Sequence, residues 1–132
     1  MARKTSELAN AETGDRNLMQ KIRCADLVMV TAFDEDKMVV NVKPLVQRDI
    51  AGIYVSPPPI LGVKVAHIPI EVEVDEKKAT IKVNIKPGDI GTIVYLDLDS
   101  DNSMRTGAES KPNTSRLHSG DDAVFIGVVL KG

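Results

Sequence analysis

Between Ile70 and Ile85 apolar and polar residues alternate with a period of two. Ile70, Val72 and Val74 stand against Glu71, Glu73 and Asp75, then Ile81, Val83 and Ile85 against Thr80, Lys82 and Asn84. Successive side chains of a strand point to opposite faces, whereas a helix repeats about every 3.6 residues, so this stretch suits β-strands and not a helix. The polar Glu76-Lys77-Lys78 supplies a turn, and the spacing predicts a hairpin with one β-branched face. Its other face is charged, with Glu71 or Glu73 near Lys82 in either register, and reads as a solvated sheet surface.

A second hairpin is predicted upstream, where Leu27 to Phe33 and Met38 to Val42 flank Asp34-Glu35-Asp36-Lys37. Pro44 ends its clean alternation because proline has no N–H for a central ladder, with Leu45 and Val46 continuing along an edge. From Gln47 to Pro69 the pattern is less regular. It holds a short strand at Ile50 to Val55 and the stiff connector Pro57-Pro58-Pro59, read as a rigid loop rather than a recognition motif. Lys86-Pro87-Gly88-Asp89 reads as a turn. Ahead of all these, Leu8, Ala11, Leu18, Met19 and Ile22 recur at helical spacing, with Thr5 or Ser6 as N-cap. One amphipathic helix is expected there, or two shorter turns joined near Thr13 to Asp15, where Gly14 interrupts.

Two further strands lack a polar face. Residues 90–98 place Val94, Leu96 and Leu98 on one side and Ile93 and Tyr95 on the other; residues 123–130 read Ala-Val-Phe-Ile-Gly-Val-Val-Leu. Such strands need cover on both sides, and a 132-residue chain has little left to supply it. A subunit interface, or a missing partner chain, is therefore expected, at Ile93, Val94, Tyr95, Leu96, Val124, Phe125, Ile126 and Val128. Between the two strands, residues 99–122 are rich in Ser, Asp, Asn, Gly and Thr and exceed an ordinary connection. That loop is expected to be either mobile or ordered by a partner, with Arg116, His118 and Asp121 as its ordering residues. The expectation is an all-β chain: a helical segment at residues 1–23, then a small antiparallel, OB-fold-like barrel at 24–132. An SH3-like barrel is the alternative.

Charge and composition narrow the function. Seventeen Lys and Arg against nineteen Asp and Glu leave a net charge of −2, which gives no field to attract phosphates or anionic lipid. Two Phe, two Tyr and no Trp offer no series of stacking platforms, so nucleic acid is not expected as a partner. An OB-type nucleic-acid module is carried as the alternative from fold class alone. No run approaches the roughly 20 apolar residues of a membrane helix, so no stable membrane anchor is expected. Cys24, the single cysteine, cannot form an intrachain disulfide and reads as a packing residue.

The candidate chemical motifs are weak. His118, Ser119, Asp121 and Asp122 gather a base, a hydroxyl and two carboxylates without a nucleophile elbow, which leaves a small hydrolase as a third reading only. His67 and His118 alone do not make a metal site. Asp97, Asp99, Asp101 and Asn102 begin like a calcium loop but lack its glycine and final glutamate, since Asn102 and Ala108 occupy those places. Residues 86–91 have neither the lysine nor the helix of a phosphate loop. No catalytic residue, cofactor or metal is expected.

The order of several short motifs is more informative. Val83-Asn84-Ile85-Lys86-Pro87-Gly88-Asp89-Ile90-Gly91-Thr92-Ile93-Val94 resembles a segment of the N-terminal OB-domain family of central spike, or cell-puncturing, proteins of contractile-tailed bacteriophages. Residues 38–46 resemble that family's second strand, and 58–65 its proline-led connector. Asp101-Asn102, Gly107, Pro112, Arg116-Leu117-His118 and Asp121 to Ile126 follow its closing pattern in order. The likeness spans about Leu27 to Ile126. It departs from the family at Ser103-Met104, where an aromatic residue is usual, and at Gly127-Val128, where a proline is usual. The resemblance implies a homotrimeric, non-enzymatic collar in the virion tail baseplate, assembled in the host cytoplasm. It would contact the tail-tube or hub protein and take part in envelope penetration. With no needle following Gly132, a separate spike-tip protein is expected, with this chain as adaptor, unless the chain is a fragment.

Overall fold

Five strands close on one another as a barrel, and the reason is visible in their alternation. The computed structural model describes residues 22–67, 70–80 and 83–132. Its strands are β1 (Ala25–Asp34), β2 (Val39–Pro44), β3 (Arg48–Ile50), β4 (Ile53–Val55), β5 (Ile60–Val65), β6 (Glu71–Val74), β7 (Lys77–Thr80), β8 (Ile90–Tyr95) and β9 (Ala123–Leu130). A six-residue helix, α1 (Asp101–Thr106), and a 3₁₀ turn, Gly120–Asp122, lie between β8 and β9. Every second residue of the barrel strands points inward: Val28 and Val30, Val40 and Val42, Val63 and Val65, Ile93 and Tyr95, Ala123 and Phe125. Ile85, outside any strand, completes this core, with Val83 packed against it. β-branched residues dominate because they fit a pleated, half-buried surface.

Around the barrel the order is β1-β2-β5-β9-β8, and β8 returns to pair with β1. Neighbours run antiparallel except β5 and β9, which are parallel at Lys64↔Val124 and Val65↔Phe125. A wholly antiparallel barrel is thus corrected at one seam: β9 is inserted between β8 and β5 after the long connection, and its direction is fixed by pairing with β8. Register shifts in β1–β2, β2–β5 and β8–β9 bend the strands where the barrel turns its corners. Gly91 is required at the β8–β9 seam. A Cβ there would lie 2.2 Å from the Gly127 carbonyl oxygen and 2.5 Å from Cζ of Phe125, so the missing side chain is the space the Phe125 ring occupies.

Other expectations are adjusted by the structure. The predicted helix at 6–23 lies outside the described residues except for Ile22 and Arg23, which are not helical. The single short strand at Ile50 to Val55 is instead the ribbon β3–β4, turned by Ala51 (φ 53°) and Gly52 (φ 83°) with Asp49 accepting from the Gly52 N–H at 2.9 Å. Positive φ at both central residues is the two-residue turn that matches strand twist. The same geometry, at Asp75 (φ 52°) and Glu76 (φ 66°), turns β6 into β7, starting one residue earlier than the polar run suggested. Lys77 therefore enters the strand, Glu73 faces Lys78 in the register, and Lys82 lies outside the described residues. β8 ends at Tyr95, and the Leu96 N–H still donates to the Asp122 carbonyl oxygen at 3.0 Å, in the register that pairs Tyr95 with Ala123.

Candidate functional site

The long connection from β8 to β9 closes on itself. Leu98 and Leu117 form a two-residue bridge at its neck, and the His118 N–H donates to the Asp97 carbonyl oxygen at 3.2 Å. Inside the neck, Arg116 is held by three carboxylates. Its Nε donates to Asp122 Oδ2 at 2.8 Å, while Nη2 reaches Asp122 Oδ1 at 3.0 Å, Asp99 Oδ1 at 2.9 Å and Asp101 Oδ2 at 3.0 Å. The pairing with Asp122 is the planar two-bond fork that guanidinium makes with a carboxylate.

The remaining lone pairs are also used. Asp99 Oδ2 accepts from the Thr114 N–H and hydroxyl at 3.0 and 2.8 Å, and Asp122 Oδ1 accepts from the Ser100 N–H and hydroxyl at 3.0 and 3.1 Å. The side chains of Asp99 and Asp122 are almost wholly buried. The Thr114 hydroxyl, the Arg116 charge and backbone N–H groups hold the Asp99 carboxyl below the usual range, against burial that pushes it up. For Asp122 the Arg116 hydrogen bonds are the largest cause in the same direction. Asp122 and Asp101 in turn raise the Arg116 pKa. The loop outside the neck is laced by Asn102, whose Nδ2 donates to the Lys111 carbonyl oxygen and to Asn113, and α1 ends at Gly107 (φ 67°).

Residues 99–122, expected to be either mobile or ordered by a partner, supply a cation and acceptors of their own. Of the three residues expected to order the loop, Arg116 lies at the centre of this network. His118 contributes through its backbone and sits at φ 46°; its ring Nδ1 lies 3.6 Å from Asp97 Oδ1 and has no hydrogen-bond partner. Asp121 is exposed, and its N–H, rather than its carboxylate, is the group engaged, donating to Ser119 Oγ at 3.2 Å. The acid that the Arg116 hub uses is its neighbour, Asp122. The sequence signal for it was position: Asp122 directly precedes β9 as Asp89 directly precedes β8, and an acid at the mouth of a buried strand needs a partner.

Asp99, Asp101 and Asp122 bring one oxygen each within 4.8 Å of one another, the one such acidic group among the described residues. The Arg116 guanidinium already lies among them, so the charge a metal would supply there is present. Beside them an open groove of about 360 Å³ is lined by Lys64, Ser100, Met104, Arg105 and Asp121, with charges of both signs. His67 is exposed at the end of β5 and is not part of this cluster. Cys24 is exposed as well, which corrects its reading as a packing residue.

The residues expected at a subunit interface separate by face. Ile93, Tyr95 and Phe125 are buried in the barrel's own core and are not available to another chain. The reason is closure: once five strands join, one of the two apolar faces of β8 and β9 becomes the interior. Val94, Leu96 and Val124 are half-buried on the outside, and Ile126 and Val128 are exposed. Beyond them Val129 and Leu130 are each more than half exposed. Among the described residues no helix is long and apolar enough to cross a membrane. No family model and no curated protein sequence matches this chain.

Proposed function

We propose that this chain is an OB domain of the central spike, or of the spike adaptor, in a contractile tail baseplate, acting as a non-enzymatic homotrimeric collar. Numbered in chain order, the five barrel strands run one-two-three-five-four, with three and five parallel, and we assign this Greek-key closure to the OB fold. The ordered motif series from Leu27 to Ile126 supports the family reading. The observation that carries the collar is surplus apolar surface. The barrel interior is filled by the chain's own residues, yet Ile126, Val128, Val129 and Leu130 are exposed along the end of β9. An apolar run of this kind marks a contact with another protein surface.

A structural role also accounts for the loop, whose buried acids Asp99 and Asp122 are committed to Arg116 rather than held ready for proton transfer. Nucleic acid is the less supported reading: Tyr95 and Phe125 are core residues, and neither can stack on a base. Light scattering across a dilution series tests the proposal. A mass three times 14.3 kDa that survives dilution is expected. A monomer that binds neither a tail-tube nor a hub protein overturns it, and salt-dependent binding of single strands would favour the alternative.

A further inference from the structure

The ribbon β3–β4 is open on both of its faces. Arg48 pairs with Val55 and Ile50 with Ile53, so these four residues share one face, while Asp49 and Tyr54 lie on the other. Ile50 is 58% exposed, Ile53 68% and Tyr54 70%, so neither face is backed by the chain's own core. The one charge on the first face is tied down: Arg48 Nη2 lies 3.8 Å from Asp26 Oδ2 at the start of β1. Beside the ribbon an open groove of about 570 Å³ is lined by Leu45, Val46, Gln47 and Tyr54. A two-stranded ribbon in water is marginal on its own, and exposed apolar residues grouped in this way mark a contact.

The other surplus surface is the end of β9, with Ile126, Val128, Val129 and Leu130. The two patches belong to different parts of the barrel: the ribbon follows β2, and in the order β1-β2-β5-β9-β8 the strands β2 and β9 are not neighbours. Both are exposed in the same chain, so neither covers the other. A closed ring of three is built from head-to-tail contacts, in which a patch on one copy meets a different patch on the next. The end of β9 supplies one half of such a contact and requires a second apolar patch for the other half. The β6–β7 ribbon fits that place less well, because Val74 stands opposite Lys77 and its apolar side therefore carries a charge.

We propose that the collar closes head to tail, with Ile126, Val129 and Leu130 of one copy seated on Ile50 and Ile53 of the next copy's β3–β4 ribbon. The inference rests on the homotrimer reading and names the second surface that this reading requires. The residues brought together are all apolar, so the contact removes their surface from water without desolvating a charge.

Light scattering of two variants and of their mixture tests the contact. Ile53→Asp is expected to lower the mass threefold, from trimer to monomer, as Val129→Asp does, with the β-sheet signal in circular dichroism unchanged. An equimolar mixture of the two variants is expected to reach twice 14.3 kDa and no more: one unspoiled pair of patches joins unlike copies, and nothing closes the ring. A trimer that Ile53→Asp leaves intact overturns the contact while the collar stands, its β9 ends then meeting around the threefold axis. A mixture that stays at the monomer mass overturns the contact as well. A parent chain that is itself monomeric overturns the collar and the contact together.

Discussion

Asp89 is 2% exposed, yet its carboxylate is held by donors from both ends of the barrel's last strands. It accepts from the Lys86 N–H at 2.9 Å, the Gly132 N–H at 3.0 Å and Lys131 Nζ at 2.7 Å. These bonds, the Lys131 one foremost, lower its pKa from 3.8 to about 2. A carboxyl whose folded pKa is depressed contributes stability that is complete above its unfolded pKa and is lost as pH falls through the folded value. Asp89 therefore stabilises the chain fully above about pH 4 and loses that contribution between about 4 and 2. Urea unfolding against pH should show this loss, and Asp89→Asn should lower stability at neutral pH while flattening the slope in that window. A second prediction at this scale concerns Gly91→Ala. The added methyl meets the Gly127 carbonyl and the Phe125 ring, so it should cost about 3 kcal/mol, read as a fall in the denaturation midpoint.

Among the elements, the 99–122 connection teaches most about what sequence patterns conceal. Its composition is that of a loop, and no alternation announces that Asp99, Thr114, Arg116 and Asp122 will meet. Those residues lie up to 23 positions apart and are joined only because β8 and β9 run side by side and bring the loop's two ends together. Arg116→Met keeps an unbranched apolar stem and removes the charged head, leaving two buried carboxylates facing each other. Amide exchange within 99–116 should rise more than tenfold in this variant, and the unfolding midpoint should fall. Protonation of Asp99 and Asp122 should produce the same loosening in the parent chain, because both pKa values are depressed and the contribution disappears only as pH drops below the ordinary carboxylate range. The ribbons β3–β4 and β6–β7 were partly legible: alternation located the strands of the second, but the turn was set by two residues at positive φ rather than by the most polar run.

For the whole molecule, the apolar content that looked like excess divides into an inside and an outside. Barrel closure consumes Ile93, Tyr95 and Phe125 as core and leaves Ile126, Val128, Val129 and Leu130 exposed, so the surface offered to another chain is smaller than strand patterns alone suggested. The proposed collar should accordingly respond to substitutions in that exposed run. Ile126→Asp or Val129→Asp is expected to reduce a trimeric mass to that of the monomer without loss of the β-sheet signal in circular dichroism, whereas Phe125→Ala should unfold the barrel, at a cost of about 4 kcal/mol.

What the sequence by itself determined is local. Period-two alternation marks β2 and the β6–β7 ribbon, Pro87-Gly88 marks a tight turn, and the run 123–130 coincides with β9 from end to end, whereas β5 falls in a stretch that reads as an irregular connector. These follow from the backbone's two-residue repeat and from the special dihedrals of proline and glycine, which need no knowledge of distant residues. Tertiary structure alone decided which face of β8 and β9 became interior, that β9 would run parallel to β5, and that Asp122 rather than Asp121 would bind Arg116. Each is a contact between segments far apart in the chain. The free energy that selects it comes from closing the barrel and burying charges in pairs, and no window of neighbouring residues carries that information.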